Sequence, residues 1–336
     1  MDRDLLTRAI EARRPMMEAE PEQALRLLNG FLEGEPNFVV DLYGRSIVVH
    51  DHSEAGDENA ARAAVDVAAR AIPHVRAAVW KVRKALDPEA RHGKVILGAE
   101  KDLDRSIREG GVRYAVDLVG HSDAGFYLDT RELRAWAQAS LAGKRVLNTF
   151  AHTGSLGVAA RAAGADVVHV DRSKTALEVA RRSYQLNAWE IERRNFVCDD
   201  FFRATARLRK EEELFDCVLL DPPFFSTTGA GRVDLEQSST NLINKVRPLV
   251  ADGGALVIVN NALFVGGAEH MKVLEDACKD GFLSIDETIG VPEDSRGFPS
   301  TRVGAPPADP APFQHSTKIA ILRVKRKDGR AGSAPP

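Results

Sequence analysis

The chain has 336 residues, 44% of them hydrophobic and 28% charged, which suits a water-borne globular protein long enough for two cores. Its 46 Lys and Arg against 49 Asp and Glu leave a net charge of −3, so a nucleic-acid partner would need a local basic patch. Cys198, Cys217 and Cys278 show no CxxC spacing, and MDRDLLTRAIEARR is charged from residue two. These features exclude a disulfide framework and predict a cytoplasmic chain without signal peptide or membrane span.

Residues 1–30 read as helix, turning near Asn29-Gly30. FVVDLY and SIVVH follow as strands around Gly44, then an alanine-rich helix over about 58–72. AAVWKV, KVILGA and VRYAVDLV read as further strands. From Asp129 onward strands and helices alternate. A helix with Leu133, Trp136, Ala137 and Leu141 on one face precedes KRVLNTF, SLGVAARAAGA and VVHVD. Ser173 is placed to cap KTALEVARRSYQLN, and NFVCDD, a charged helix and CVLLD come next. A helix striped by Leu242, Ile243, Val246 and Leu249 leads to ALVIVN and a helix ending near Gly281. LSIDETI and TKIAILRV can pair as an antiparallel edge. The expected fold is α/β: a Rossmann-like, mostly parallel seven-stranded sheet with an antiparallel edge strand over 113–327, after a smaller α+β domain over 1–112. Residues 328–336 are expected to be a disordered tail. The connection 290–316 carries six prolines and reads as a lid or as disorder, with Arg296 and Arg302 as lid candidates. Residues 226–232 read as a mobile loop.

Ligands of open α/β sheets bind beyond the carboxyl ends of the strands, and four such ends carry apt residues. In VLNTFAHTGSLG a strand runs through Ala151-His152-Thr153-Gly154-Ser155 into a helix. Gly154 allows close approach of the backbone, and the helix N-terminus offers N–H groups to an anion; a plain βα turn would read alike. VVHVDRS ends in Asp171, which can accept both hydroxyls of a ribose or cap the next helix. NFVCDDFF offers Asp199 or, at the favoured register, Asp200 to an adenine amino group. In LFDCVLLDPPFF the strand stops at Asp221-Pro222-Pro223-Phe224. Two prolines cannot continue a ladder, so they fix a stiff corner between an acid and a ring. Anion, ribose and adenine sites followed by that corner fit S-adenosyl-L-methionine better than NAD, whose GxGxxG fingerprint the sequence lacks.

This set looks like a class I methyltransferase, and Asp221-Pro-Pro-Phe resembles the active-site motif of enzymes that methylate nitrogens of bases and amides. GFYLDTR (125–131), VLNTFAHTG, VDRSKTALEVARRSYQLN and FDCVLLDPPFF, with RLLNGFLEGEPNFVVDLYG before them, resemble the bacterial large-subunit (23S) rRNA methyltransferase family of 5-methylcytosine and guanine-N7 enzymes. The likeness covers roughly residues 20–325, without the PUA module of some members. It implies an S-adenosylmethionine-dependent RNA methyltransferase with no metal. It further implies cofactor contacts from Asp129 and Arg131 at the methionine end, and from Asn148, Phe150, Ala151, His152, Thr153, Gly154 and Ser155 in the first turn. Asp171, Arg172 and Ser173 would serve the ribose, Asp199, Asp200 and Phe201 the adenine, and Asp221 the reacting end.

Cytosine C5 is not nucleophilic, and its methylation needs a thiolate adduct. In the cytosine enzymes that cysteine follows the strand after DPP in a Ser-Cys-Ser context; here the stretch is VIVNNALF, with Asn260-Asn261. Asp123-Ala124-Gly125, Asn260-Asn261 and the late His315 resemble the guanine-N7 branch. An N7 has an in-plane lone pair and no proton to lose, so positioning carries the reaction. The expected catalytic set is Asp221, Pro222, Pro223, Phe224 and Asn261. Phe224 would stack on an extruded base, Asp221 and the proline carbonyls would hold its edge, and Asn261 would present an amide. Guanine N2 and adenine N6 stay open, with the disfavoured 5-methylcytosine, as do a small-molecule or protein substrate and a non-catalytic RNA-binding assembly scaffold. The best basic patch holds Arg76, Lys81, Arg83, Lys84, Arg91 and Lys94. Within it Trp80, Lys81, Arg83 and Lys84 are candidate RNA contacts, against a solvated hairpin with Trp80 in the core.

Overall fold

Asp2 starts the first helix: its carboxylate accepts from the N–H groups of Asp4 and Leu5 and caps α1 (Arg3–Ala19), which buries Leu6, Ala9, Ile10 and Met17. The computed structural model describes residues 1–85, 87, 91–120, 123–237 and 239–332. It divides into two units, Met1–Asp129 with Pro292–Ala305, and Thr130–Val291 with the chain from Pro306 onward. The division thus falls at 129/130 rather than 112/113, and the first unit takes back a segment from late in the chain.

In the first unit β1 (Ala24–Asn29), β2 (Phe38–Tyr43), β3 (Ser46–Asp51), β4 (Ala77–Val82) and β5 (Lys94–Leu97) form a sheet in chain order. All pairs are antiparallel except β3–β4, which α2 (Glu58–Ala71) connects. Residues 24–29, expected to be helical, are its edge strand. A bulge between Arg26 and Leu28 sends Leu25, Leu27 and Leu28 all into the core, and that spacing imitates a helical face. VRYAVDLV keeps a strand only at β7 (Val112–Ala115), paired with β6 (Ser106–Glu109).

The proline-rich connection is neither a free lid nor a loose loop over its first half. Fully buried Arg13 donates to both oxygens of Glu33, at 3.0 and 2.8 Å, and to Asp294 O at 2.9 Å. Arg26 N donates to Asp294 Oδ2 at 3.0 Å, Asn29 Nδ2 to Ser295 O, and the N–H groups of Val303 and Gly304 to Leu32 O. Arg302 Nε points back to Gly304 O.

The second unit runs α3 (Arg131–Ser140), β8 (Arg145–Thr149), α4 (Ser155–Ala162), β9 (Asp166–Asp171), α5 (Lys174–Leu186), β10 (Phe196–Cys198), α6 (Phe201–Lys210) and β11 (Phe215–Leu220). After these come β12 (Phe225–Thr228), β13 (Gly231–Asp234), α7 (Ser239–Val246), β14 (Val250–Asn260), α8 (Gly267–Cys278), β15 (Leu283–Ile289) and β16 (Lys318–Val324). Seven strands form an α/β, Rossmann-like sheet in the order β10-β9-β8-β11-β14-β16-β15. Only β16 is reversed, antiparallel to both β14 and β15, so the reversed strand lies one place in from the edge. Both faces are covered, which explains the near-continuous apolar runs. Val146, Cys217, Leu219 and Val257 cluster with α3 and α4, while Leu147, Val218, Leu220 and Ile258 cluster with α6, α7 and α8.

Residues 226–232, expected as a mobile loop, belong to the hairpin β12–β13, where Thr228 Oγ1 accepts from Ala230 N and Gly231 N. Gly231 lets the hairpin close on Phe202, whose ring a Cβ would meet at 2.5 Å. Of the expected tail, Arg330 O accepts from Asp252 N at 2.8 Å, and residues 333–336 lie outside the described ones. Among the described residues no helix is long and apolar enough to cross a membrane, and no cluster of His, Cys, Asp and Glu could hold a metal.

Candidate active site

At the carboxyl end of β8 the chain leaves the sheet through Phe150, His152 and Gly154 with φ of 51°, 51° and 79°. Side chains rarely adopt that region, and such strain clusters at functional sites. Neighbouring groups hold it. Ala151 N donates to Val170 O at 3.0 Å, and Asp171 Oδ2 accepts from His152 N at 2.7 Å while Oδ1 accepts from Ser173 N at 2.7 Å. One carboxylate therefore locks the turns after β8 and β9 together. Gly154 is required by its φ and by packing, since a Cβ there would stand 2.7 Å from that of Ala180. Ser155 then opens α4, whose first-turn N–H groups lack acceptors within the helix.

Beneath the turn lies a relay that no sequence signal announced. Asn148 Nδ2 is 3.3 Å from His169 Nδ1, and His169 Nε2 is 3.1 Å from Tyr184 Oη. An amide N–H pointing at Nδ1 places the imidazole proton on Nε2, toward Tyr184. Burial pushes His169 down to about 3 and Tyr184 up, so both are neutral. Gly157 sits on the ring, where a Cβ would be 2.4 Å from Cε1. Asn148 is 1% exposed, so its side chain serves the floor of the turn.

Asp200 caps α6, accepting from Phe202 N at 2.9 Å, while Asp199 accepts from Asp200 N and pairs with Arg203 at 3.1 Å. Buried Phe201 stacks on Phe150 with centroids 4.5 Å apart. Ser173 caps α5 through Ala176 N, and exposed Arg172 lends its carbonyl to the Cys198 thiol. Thr153 is buried. Asp129 lies in the short turn Leu128–Thr130, and Arg131 opens α3.

Because β11 and β14 are parallel neighbours with Leu220 opposite Ile258, the segments that follow them emerge side by side. Asp221 is half-buried and Pro222 buried, while Pro223 and Phe224 are exposed. Asn261 Nδ2 reaches Pro222 O at 3.5 Å and links the two segments; its Oδ1 is buried and has no hydrogen-bond partner among the described residues. Asn260 turns inward, with Nδ2 3.2 Å from His270 Nδ1 and Oδ1 accepting from Ala262 N. Behind this loop Lys318, fully buried, donates from Nζ to the carbonyls of Ala262, Val265 and Ser316. Burial lowers its ammonium to about 8, against the pull of Glu269. A lysine at the start of a strand reads as a surface residue, because two of its three carbonyl partners lie more than fifty residues away.

The cysteines stand elsewhere. Cys217 is buried within β11, its thiol pushed up by burial; Cys278 lies in α8 with its thiol also raised; Cys198 is exposed. His315 Nδ1 accepts from Thr317 N just before β16. The expected basic patch is corrected. Lys81 is fully buried with Nζ 3.4 Å from Val119 O, and its charge is weakened to about 8 by burial. Trp80 packs against the core and donates from Nε1 to Asp51 Oδ2 at 3.0 Å. Lys84 and Lys94 pair with Glu54 and Glu58; of the four candidate contacts, Lys84 is exposed and Trp80 and Arg83 are half-buried.

Comparison with known proteins supplies the frame for this geometry. Residues 71–296 match the family model described as S-adenosylmethionine-dependent methyltransferase. Ribosomal RNA large subunit methyltransferase I of Aeromonas salmonicida is 31% identical over 81% of this chain and 69% of its own length. The protein of the same name from Photobacterium profundum is 32% identical over 76% of this chain and 65% of its own. The chain thus spans about two thirds of the curated relatives it matches. A methyltransferase crystal structure solved with S-adenosylhomocysteine (SAH) superposes with a TM-score of 0.81 at 20% identity, over 96% of this chain and 80% of that one. With well over half its length matched by the family model, the chain belongs to the S-adenosylmethionine-dependent methyltransferase family.

Proposed function

We propose that this enzyme methylates a base nitrogen, guanine N7, of large-subunit ribosomal RNA. The observation that carries the reading is Asn261. An amide stands on the loop where the cytosine enzymes it resembles keep their cysteine, and the chain's own three cysteines lie in β10, β11 and α8. The names of the relatives support RNA of the large subunit as the substrate.

The donor set suits the cofactor. Asp171 keeps lone pairs for ribose hydroxyls beyond the two N–H groups it already accepts, Asp200 lies at the next strand end, and α4 offers its N-terminus to a carboxylate. When bound, S-adenosylmethionine supplies a methyl group on a sulfonium, an electrophile needing only a nucleophile in line. Phe224 would stack on the extruded base, Asp221 and the Pro222 carbonyl would hold its edge, and Asn261 Oδ1 would accept from a guanine N–H. No residue has to take up a proton, because N7 carries none. A second reading, an exocyclic guanine amine, is favoured by the half-buried Asp221 carboxylate, which could accept the N–H and sharpen the lone pair. Arg83 and Lys84 are proposed as phosphate contacts of the first unit.

Nucleoside mass spectrometry of large-subunit rRNA from cells with and without the gene tests the proposal. Loss of 7-methylguanosine is expected. Loss of 2-methylguanosine selects the second reading, loss of 5-methylcytidine overturns the argument from Asn261, and an unchanged profile overturns the substrate.

A further inference from the structure

Eight large apolar side chains stay exposed among the described residues, and four of them, Phe224, Phe225, Leu263 and Phe264, stand on the segments that follow β11 and β14. Scattered apolar residues are ordinary on a surface, but a cluster at the mouth of a site marks a binding surface. Phe264 is the extreme case among these four, 71% exposed, and its exposure does not come from a loose loop. Lys318 Nζ bonds the carbonyls of Ala262 and Val265, at 2.9 and 3.1 Å, on either side of Leu263-Phe264. Ala262 N is held by Asn260 Oδ1, and Gly267 N by Asp309 O. The backbone is clamped from within and the two side chains between the clamps are turned outward. Two further features join them. Arg232, which pairs with Asp234 at 2.6 Å, lies over the Phe225 ring at 5.0 Å with its side chain 58% exposed, and Asn261, whose buried Oδ1 has no hydrogen-bond partner among the described residues, sits at the root of the loop.

Exposed rings on a clamped backbone, with an arginine beside one of them, match a single-stranded nucleic acid, whose bases stack and whose phosphates seek positive charge. Resting on the RNA reading above, we propose that Phe264 is a second stacking platform. Phe224 takes the base to be methylated, Phe264 takes a neighbouring nucleotide of the same strand, and Arg232 faces the backbone between them.

The test uses the full-length protein and large-subunit rRNA extracted from cells lacking the gene, with tritiated S-adenosylmethionine as methyl source. Phe264→Ala and Phe264→Leu are each expected to lower kcat/KM for the RNA about 10- to 100-fold, mainly through KM, as loss of one base-on-ring stack does. Affinity for SAH should be unchanged in both, and Phe264→Trp should restore activity. Full activity of Phe264→Ala, or of Phe264→Leu (which keeps the bulk but not the π face), overturns the platform and leaves the RNA reading standing. A change of oligomeric state in Phe264→Ala with kcat/KM intact would make the loop an interface between copies, which also overturns it. If the wild-type enzyme labels no RNA, the substrate reading falls and takes the platform with it.

Discussion

The two sheets of this protein use polar residues in opposite ways. In the first unit the face turned away from α1 and α2 carries Arg26, Asp41, His50 and Lys81 on four successive strands. These charges are satisfied internally. Asp41 accepts from Arg26 at 3.0 Å and lies 3.3 Å from His50, and although burial would raise it, Arg26 and His50 hold it down to about 2. In the second unit the sheet is apolar on both faces and its polar groups gather at the carboxyl ends of the strands, where Asn261 Oδ1 is left unsatisfied. A polar residue is informative about function when its partner is missing from the protein, not merely when it is charged. That lesson removes Lys81 and Trp80 from the candidate RNA contacts and adds weight to Asn261.

The comparison is broken most sharply by Arg13→Leu. If the first unit's charges are structural, this change leaves Glu33 buried without its cation, with Asn29 N and Thr301 Oγ1 as its remaining donors, and unfolding in urea should show a loss of about 3–5 kcal/mol. Joint replacement of Arg13 and Glu33 by leucine should cost much less. Equal losses would mean that the pair is not coupled. In the second unit the next effect is on binding. Asp171→Ala should weaken SAH binding by about 1.5–3 kcal/mol, the range for a charged hydrogen bond. Unchanged affinity in calorimetry would remove Asp171 from the cofactor site. Phe224→Ala should slow methyl transfer by roughly 1–3 kcal/mol with SAH affinity intact; loss of the fold instead would make Phe224 a core residue.

Most of the second unit was legible because its strands are buried on both faces and its helices are striped, so period and turn chemistry agree. The first unit was less so. β1 was misread because a bulge moved one leucine to the wrong parity, and the segment 292–304 because its partners, Arg13, Arg26 and Asn29, lie more than 260 residues away. This also bears on any truncation: removing residues 1–110 would strip Asp294 and Ser295 of these partners, so loss of activity would report misfolding rather than an RNA-binding role. In the site, acids at strand ends were readable from spacing. The Asn148–His169–Tyr184 relay and the Lys318 clamp were not, because a buried histidine or lysine looks in sequence like any other.

The smallest expected effect separates stability from function at one residue. His169 and His270 titrate near 3 and 4 in the folded protein, each held down by burial, against 6.5 when unexposed to such burial. Between these values the unfolded chain binds protons that the native one refuses, so stability present above pH 6.5 should be lost as pH falls toward 4. Lys318 shows the same sign at the alkaline end. Folded it releases its proton near 8, unfolded near 10.5, so in that window the unfolded chain again holds the extra proton and Lys318 makes stability rise with pH. Function should move the other way. A neutral amine has two N–H groups for the three carbonyls of Ala262, Val265 and Ser316. Of its charged or titratable neighbours, Glu269 has no N–H to offer and the neutral His270 makes no hydrogen bond to those carbonyls. The loop that carries Asn261 and Phe264 should therefore loosen above about pH 8, raising KM for the proposed RNA substrate by the worth of one hydrogen bond, about 1 kcal/mol. Thermal melts and KM followed from about pH 6 to 10, in the wild type and in Lys318→Met, check this. A KM that stays flat in the wild type, or rises equally in Lys318→Met, would show that the clamp supports the fold without governing the loop.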